Sequence, residues 1–132
     1  MTRNLWIAAL LCATTPALAK PYPPKPIPNE PPCLRPLNLY DYQLVPGNRS
    51  LVVIDRARQR YRLNFMGVCY NLQYHLTLGF KTRGAGQLSC VAKGDTVFMR
   101  DPVGPNSCIV KDVQYQTVAL DQADAAAAAK KP

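Results

Sequence analysis

The sequence predicts an all-β fold, a small antiparallel barrel or two-sheet sandwich of about six strands stapled by disulfides. Three observations carry that prediction. Apolar residues between positions 37 and 115 alternate with polar ones at a period of two, the period of a half-buried strand. Turn formers such as Gly94-Asp95 recur between the alternating runs. Four cysteines, Cys33, Cys69, Cys90 and Cys108, remain once the N-terminal leader is set aside.

The leader is residues 1–19. Thr2 and Arg3 form a short basic start, Leu5 to Ala13 an apolar stretch, and Ala17-Leu18-Ala19 a small-x-small cleavage site, the layout of a signal peptide. Lys20 is then the expected first residue of the mature chain. The apolar stretch is shorter than the ~20 residues that span a bilayer, and no second one follows, so no transmembrane segment is expected in the mature chain. Cys12 suggests lipid attachment, but such processing needs a small residue before the cysteine, and Leu11 is not small. A periplasmic or secreted location follows.

Residues 20–32, "KPYPPKPIPNEPP", hold seven prolines in thirteen positions and lack the donors to join a helix or sheet. An extended linker is expected, a stalk reaching roughly 40 Å at about 3.1 Å per residue. The domain itself is residues 33–116, 84 residues, and a chain that short buries only about 60 to 65% of its extended surface. Its strands, in order, are 37–45, 50–54, 61–65, 72–80, 97–99 and 109–115. Ser50 to Ile54 is a β-branched run, and Tyr61, Leu63 and Phe65 make an apolar stripe; the two should pair as a hairpin through residues 55–59. In 72–80, Leu72, Tyr74, Leu76, Leu78 and Phe80 point one way while Gln73, His75 and Thr77 point the other. "DPVGPNS", residues 101–107, reads as a loop. Residues 117–132 end in "DAAAAAKKP", below the ~12 to 15 residues an isolated helix needs, and read as a disordered Ala/Lys tail.

An even cysteine count in an oxidising compartment points to two disulfides. Cys33 with Cys108 would tie the start of the domain to its end, and Cys69 with Cys90 would close the central loop. The spacing excludes paired zinc ligands, and His75 is the only histidine, so no metal or other cofactor is expected. No catalytic residue is expected either. Paired cysteines leave no thiolate, no serine sits in a nucleophile elbow, and Gly84-Ala85-Gly86 lacks the phosphate-loop pattern. His75 has no orienting partner in the sequence, Asp41 and Asp55 are isolated carboxylates, and Asp95 reads as a turn residue whose side chain bonds the backbone.

Charge is the remaining lead. The full chain carries +8, and +7 without Arg3. Between Arg56 and Met99 the only acidic residue is Asp95, whereas Arg56, Arg58, Arg60, Arg62, Lys81 and Arg83 all fall there. Arg60 and Arg62 alternate with Tyr61 and Leu63, so they belong on a solvent face, with Arg56 and Arg58 in the preceding turn. Guanidinium groups grip phosphate and carboxylate, and an exported basic face suits an anionic envelope polymer or lipid head groups. Specific nucleic-acid reading is not expected, because the arginines interleave with inward-facing aromatics and form no stacking platform.

An opening Cys33, a strand Arg60-Tyr61-Arg62-Leu63 leading into G-x-C-x-x-L (Gly67, Cys69, Leu72), a C-x-x-x-G-D turn (Cys90, Gly94, Asp95) and a closing Cys108-x-Val110 form a recognisable series. Over about 80 residues it resembles a bacterial family of small exported proteins known only as a domain of unknown function. The resemblance implies four cysteines in two structural pairs and supplies no activity or catalytic residue. The expected function is an exported, non-enzymatic binding or structural module of the cell envelope that engages an anionic partner through the six cations. The alternative is an inhibitor or accessory subunit that sets its loops, residues 79–88 and 101–107, against an exported protein partner.

Overall fold

The computed structural model describes residues 22–130 apart from residues 71, 73–76, 85 and 102–103. The expected leader, His75 and the middle of the run 72–80 lie outside them. Six antiparallel strands form a curled half-barrel: β1 (Leu39–Leu44), β2 (Ser50–Asp55), β3 (Arg60–Phe65), β4 (Leu78–Lys81), β5 (Thr96–Asp101) and β6 (Gly104–Tyr115), followed by one helix, α1 (Val118–Ala129). The strand order is β1-β2-β3-β6-β5-β4, so the last strand lies in the middle of the sheet and β1 and β4 are its edges.

The expected hairpin forms, with Leu51 opposite Leu63 and Val53 opposite Tyr61. Asp55 closes its turn by accepting the Gln59 amide at 2.8 Å on its carboxylate. Strand β6 is long enough to serve both halves of the sheet. Residues 104–109 pair with β5 and residues 110–115 with β3. Lys111 is the extra residue between the partners of Asn64 and Phe65, a bulge at which the strand bends and the sheet curls.

Inside the curl lie Leu51, Val53, Leu63, Phe65, Val97, Met99 and Val110, with Leu34, Leu72 and Val91 filling the ends. Every residue of β2 is buried, because its outer face, Val52 and Ile54, is covered too. Alternation therefore holds for β3 and β5 but not for β2, which reads as a continuous apolar run because it is sandwiched.

Four expectations need correction. The disulfides join Cys33 to Cys90 and Cys69 to Cys108, at Cα separations of 4.9 and 5.8 Å. The reason is the strand order. With β6 inserted between β3 and β5, Cys108 sits beside the chain leaving β3, where the Met66 amide donates to Ile109 O. Cys33 is drawn to Cys90 by the Val91 amide, which donates to Leu34 O at 2.8 Å. Secondly, the loop expected over 101–107 is strand at its described residues: β5 runs to Asp101 and β6 starts at Gly104, with Asp101 paired to Gly104. Thirdly, of the strand expected over 72–80 the described part is its end, β4 at Leu78–Lys81, which pairs with Met99 to Thr96, while Leu72 is buried and not in a strand.

The last correction concerns both ends. The Pro-rich segment does not stand off as a stalk but runs along the domain: Tyr22 OH donates to Asp41, Lys25 Nζ to Ala57 O, and Pro31 O accepts from Tyr115. Residues 118–129 are helical, with Thr117 as N-cap accepting the Leu120 amide. A helix too short to stand alone is held here by tertiary ion pairs. Among the described residues no helix is long and apolar enough to cross a membrane.

Candidate binding surface

The six cations singled out by the sequence separate into three groups. Arg56 and Arg58 lie in the β2–β3 turn and are exposed. Arg58 adopts a left-handed backbone, φ 65°, which lays its guanidinium 3.9 Å from the Tyr40 ring centroid and 5.4 Å from that of Tyr22. That is a cation–π stack, which orients the charge and leaves it in water.

Arg60 and Arg62 are not on a free solvent face. Arg60 is 6% exposed, and its two terminal nitrogens donate to the two oxygens of Asp121 at 2.7 Å each. Arg62 donates to Asp124 at 2.8 and 3.0 Å. Gln116 Nε2 donates to both carboxylates, at 3.0 and 3.1 Å. The expected pair is thus a docking point for α1, whose acids lie 61 and 62 positions further along the chain.

Lys81 and Arg83 form the third group, exposed at the end of β4 and just beyond it. Asp95 builds their surroundings. Only 3% exposed, it accepts the Arg83 amide at 3.0 Å on one oxygen and the Ala92 amide at 2.8 Å on the other. Gly94 stands at φ +88°, a conformation that side-chain-bearing residues rarely adopt, and leaves room for the Arg83 guanidinium, 3.1 Å from where a Cβ would be. The turn-residue reading of Asp95 is the one the structure realises. Lys81 aligns with Thr96 and Ile109, while the Arg56 turn lies beyond the Tyr61–Tyr115 pair. Six residues of β6 separate these levels, about 20 Å at ~3.3 Å per residue.

Beside Lys81 the structure reveals a surface that charge counting missed. On β5 and β6 the inward residues Val97, Met99, Cys108 and Val110 are buried, as alternation requires. Two outward ones are also apolar: Phe98 is 48% and Ile109 49% exposed. Cross-strand register places Ile109 beside Thr96, and Thr96 beside Lys81, in one row; Met66, 52% exposed, joins its other end through its amide bond to Ile109 O. Phe98 opposes Gly79, and its ring lies across the glycine where a Cβ would come within 2.3 Å. Val68 and Tyr70, both exposed, flank buried Cys69 on the loop that its disulfide and the Asn106-to-Tyr70 O hydrogen bond hold against β6.

Among the described residues the exposed charges at the margins of this apolar row are basic. Lys81, Arg83 and Lys111 are exposed at its margins. The nearby carboxylates are engaged elsewhere, Asp95 by backbone amides and Asp112 by the Asn64 side-chain amide at 2.6 Å. The missed signal was legible in part, since Phe98 and Ile109 sit at outward positions of runs already read as strands. What hid it was register, because only the β6-β5-β4 order brings Met66, Ile109 and Lys81 into one line.

A model of a family of unknown function, DUF6491, matches residues 1–131. No curated protein and no solved structure matches the chain. The match runs through α1.

Proposed function

The chain belongs to this family of unknown function, and from its surface we propose that it is a non-enzymatic binding module of the cell envelope that docks on anionic lipid head groups through the outer face of β4, β5 and β6. Two disulfides fit an oxidising, extracytoplasmic environment. Together with the leader-like residues 1–19, they support export to the periplasm or beyond. The observation that carries the proposal is the exposed apolar pair Phe98 and Ile109 set beside Lys81.

The apolar side chains choose between the two kinds of anionic partner expected from charge. A soluble polymer has nothing to offer Phe98, whereas a bilayer interface takes apolar side chains below the level of the phosphates. Each lysine or arginine near such a surface contributes about 1 kcal/mol, and half-exposed Phe98 and Ile109 add a comparable amount each at about 25 cal/mol per Å². Of the six expected cations, Lys81 and Arg83 belong to this face, Arg56 and Arg58 are available at the other level, and Arg60 and Arg62 are committed to α1.

The test is sedimentation of the oxidised mature protein with vesicles of phosphatidylcholine alone or mixed with phosphatidylglycerol, at low and physiological salt. Lys81→Gln/Arg83→Gln is expected to weaken binding to the anionic vesicles about 10- to 30-fold at low salt, since two charges carry about 2 kcal/mol. Phe98→Asn/Ile109→Thr is expected to remove the part that survives salt. Equal binding by wild type and both variants would sink the proposal.

A further inference from the structure

Helix α1 sits on the outer face of β1, β2 and β3 in an unusual way for a docked helix. Its only buried residue is an acid, Asp121. Val118 is 52% exposed, and Gln122, Ala123 and residues 125–129 face water. Helices in small domains normally dock through an apolar stripe, and this one has none. It is held by the two arginine–carboxylate contacts and by Gln116, while a cavity of about 140 Å³ remains beside it, lined by Gln43, Leu44, Val52, Arg60, Asp121 and Asp124. Among the described residues, the buried Nε of Arg60 has no hydrogen-bond partner. The tail satisfies the end of the Arg60 fork and leaves a donor and space unused.

The receiving geometry belongs to the sheet. Arg60 and Arg62 stand two residues apart on β3, so both guanidinium groups leave the same face about 7 Å apart, a spacing that carboxylates one helical turn apart can meet. Bidentate arginine–carboxylate pairing is directional and specific, and lysines in these places would not reproduce it. We infer that Arg60 and Arg62 form a receptor for acidic peptide segments, which the chain's own α1 occupies and which an acidic segment of a partner protein takes by displacing it. The partner is a peptide with two carboxylates a turn apart because the occupying segment, Asp121-Gln122-Ala123-Asp124 in its helical setting, has that chemistry. This face is distinct from the Phe98 face, so its test is independent of vesicle binding.

The experiment uses the full mature chain and a fluorescein-labelled peptide with the sequence of residues 117–132. In wild type the tethered tail competes, and binding is expected to be weak. Asp121→Asn/Asp124→Asn loosens the tethered copy while keeping its shape, and binding of the free peptide is expected to tighten at least tenfold. A peptide with both aspartates replaced by asparagine should not bind, and Arg62→Gln added to the loosened chain should weaken the interaction again. A folded, oxidised double variant that binds the peptide no better than wild type overturns the inference. If the double variant unfolds, Asp124→Asn alone decides: faster amide exchange at residues 125–129 with tighter peptide binding supports the receptor. Unchanged exchange and binding show a helix that is a fixed part of the wall.

Discussion

Asp95 makes the strongest local demand on the chain, since one buried carboxylate accepts two backbone amides from the two ends of the segment that joins β4 to β5. Asp95→Ala leaves both part-buried amides without their acceptor, and a loss of about 1–3 kcal/mol in urea denaturation is expected, with Asp95→Asn less harmful because its carbonyl still accepts. This role could be read from the sequence, because a Gly-Asp turn is local. The fate of Arg60 could not, because nothing within its own strand announces Asp121. Tyr61 offers a pH test. Burial, followed by the negative charge of Asp55, pushes its phenol from 10.0 to about 12. The folded state thus favours the protonated ring. The stability this contributes is complete below about pH 10 and is lost as the pH rises from there towards 12. The urea midpoint of wild type is expected to fall through that window, and Tyr61→Phe should flatten the fall. An unchanged slope would mean the phenol is not held in its neutral form.

At the scale of elements, what was legible was whatever repeats at short range. The β2–β3 hairpin followed from one β-branched run, one alternating run and the turn between them, and the two strands pair as expected. The run 72–80 carried the same period over a longer stretch, and among its described residues Leu78, Gly79 and Phe80 pair with β5. Period two states what a segment would do if a neighbour were present. The tail failed in the opposite sense: five alanines predict little alone, but a cap at Thr117 and two arginines waiting on β3 supply what propensity lacks. Thr117→Ala removes the cap, and about 1 kcal/mol is expected to leave the helix. Amide exchange within residues 120–129 should quicken several-fold while the sheet amides stay as they were. Equal quickening throughout would show that helix and sheet unfold as one unit.

For the molecule as a whole, strand order decides how the disulfides act. The even cysteine count pointed to two links and left the pairing to topology. The intuition that the last cysteine closes on the first assumed a final strand at the edge, whereas β6 lies between β3 and β5. The links span 57 and 39 residues, and loop closure gives each roughly 4 kcal/mol in the chain-entropy model. A small half-barrel with two open edges has little stability to spare, so either double Cys→Ser variant is expected to lower the urea midpoint steeply. The two links should differ in function. Cys69–Cys108 fixes the loop that carries Val68 and Tyr70 against β6 beside Ile109, while Cys33–Cys90 ties down the chain entering β1. Cys69→Ser/Cys108→Ser is therefore expected to weaken binding to phosphatidylglycerol vesicles under conditions where the variant is still folded. Cys33→Ser/Cys90→Ser, compared at equal folded fraction, should leave that binding near wild type. If the two variants lose binding in step, the apolar row does not depend on the loop, and Phe98, Ile109 and Met66 alone must carry the contact.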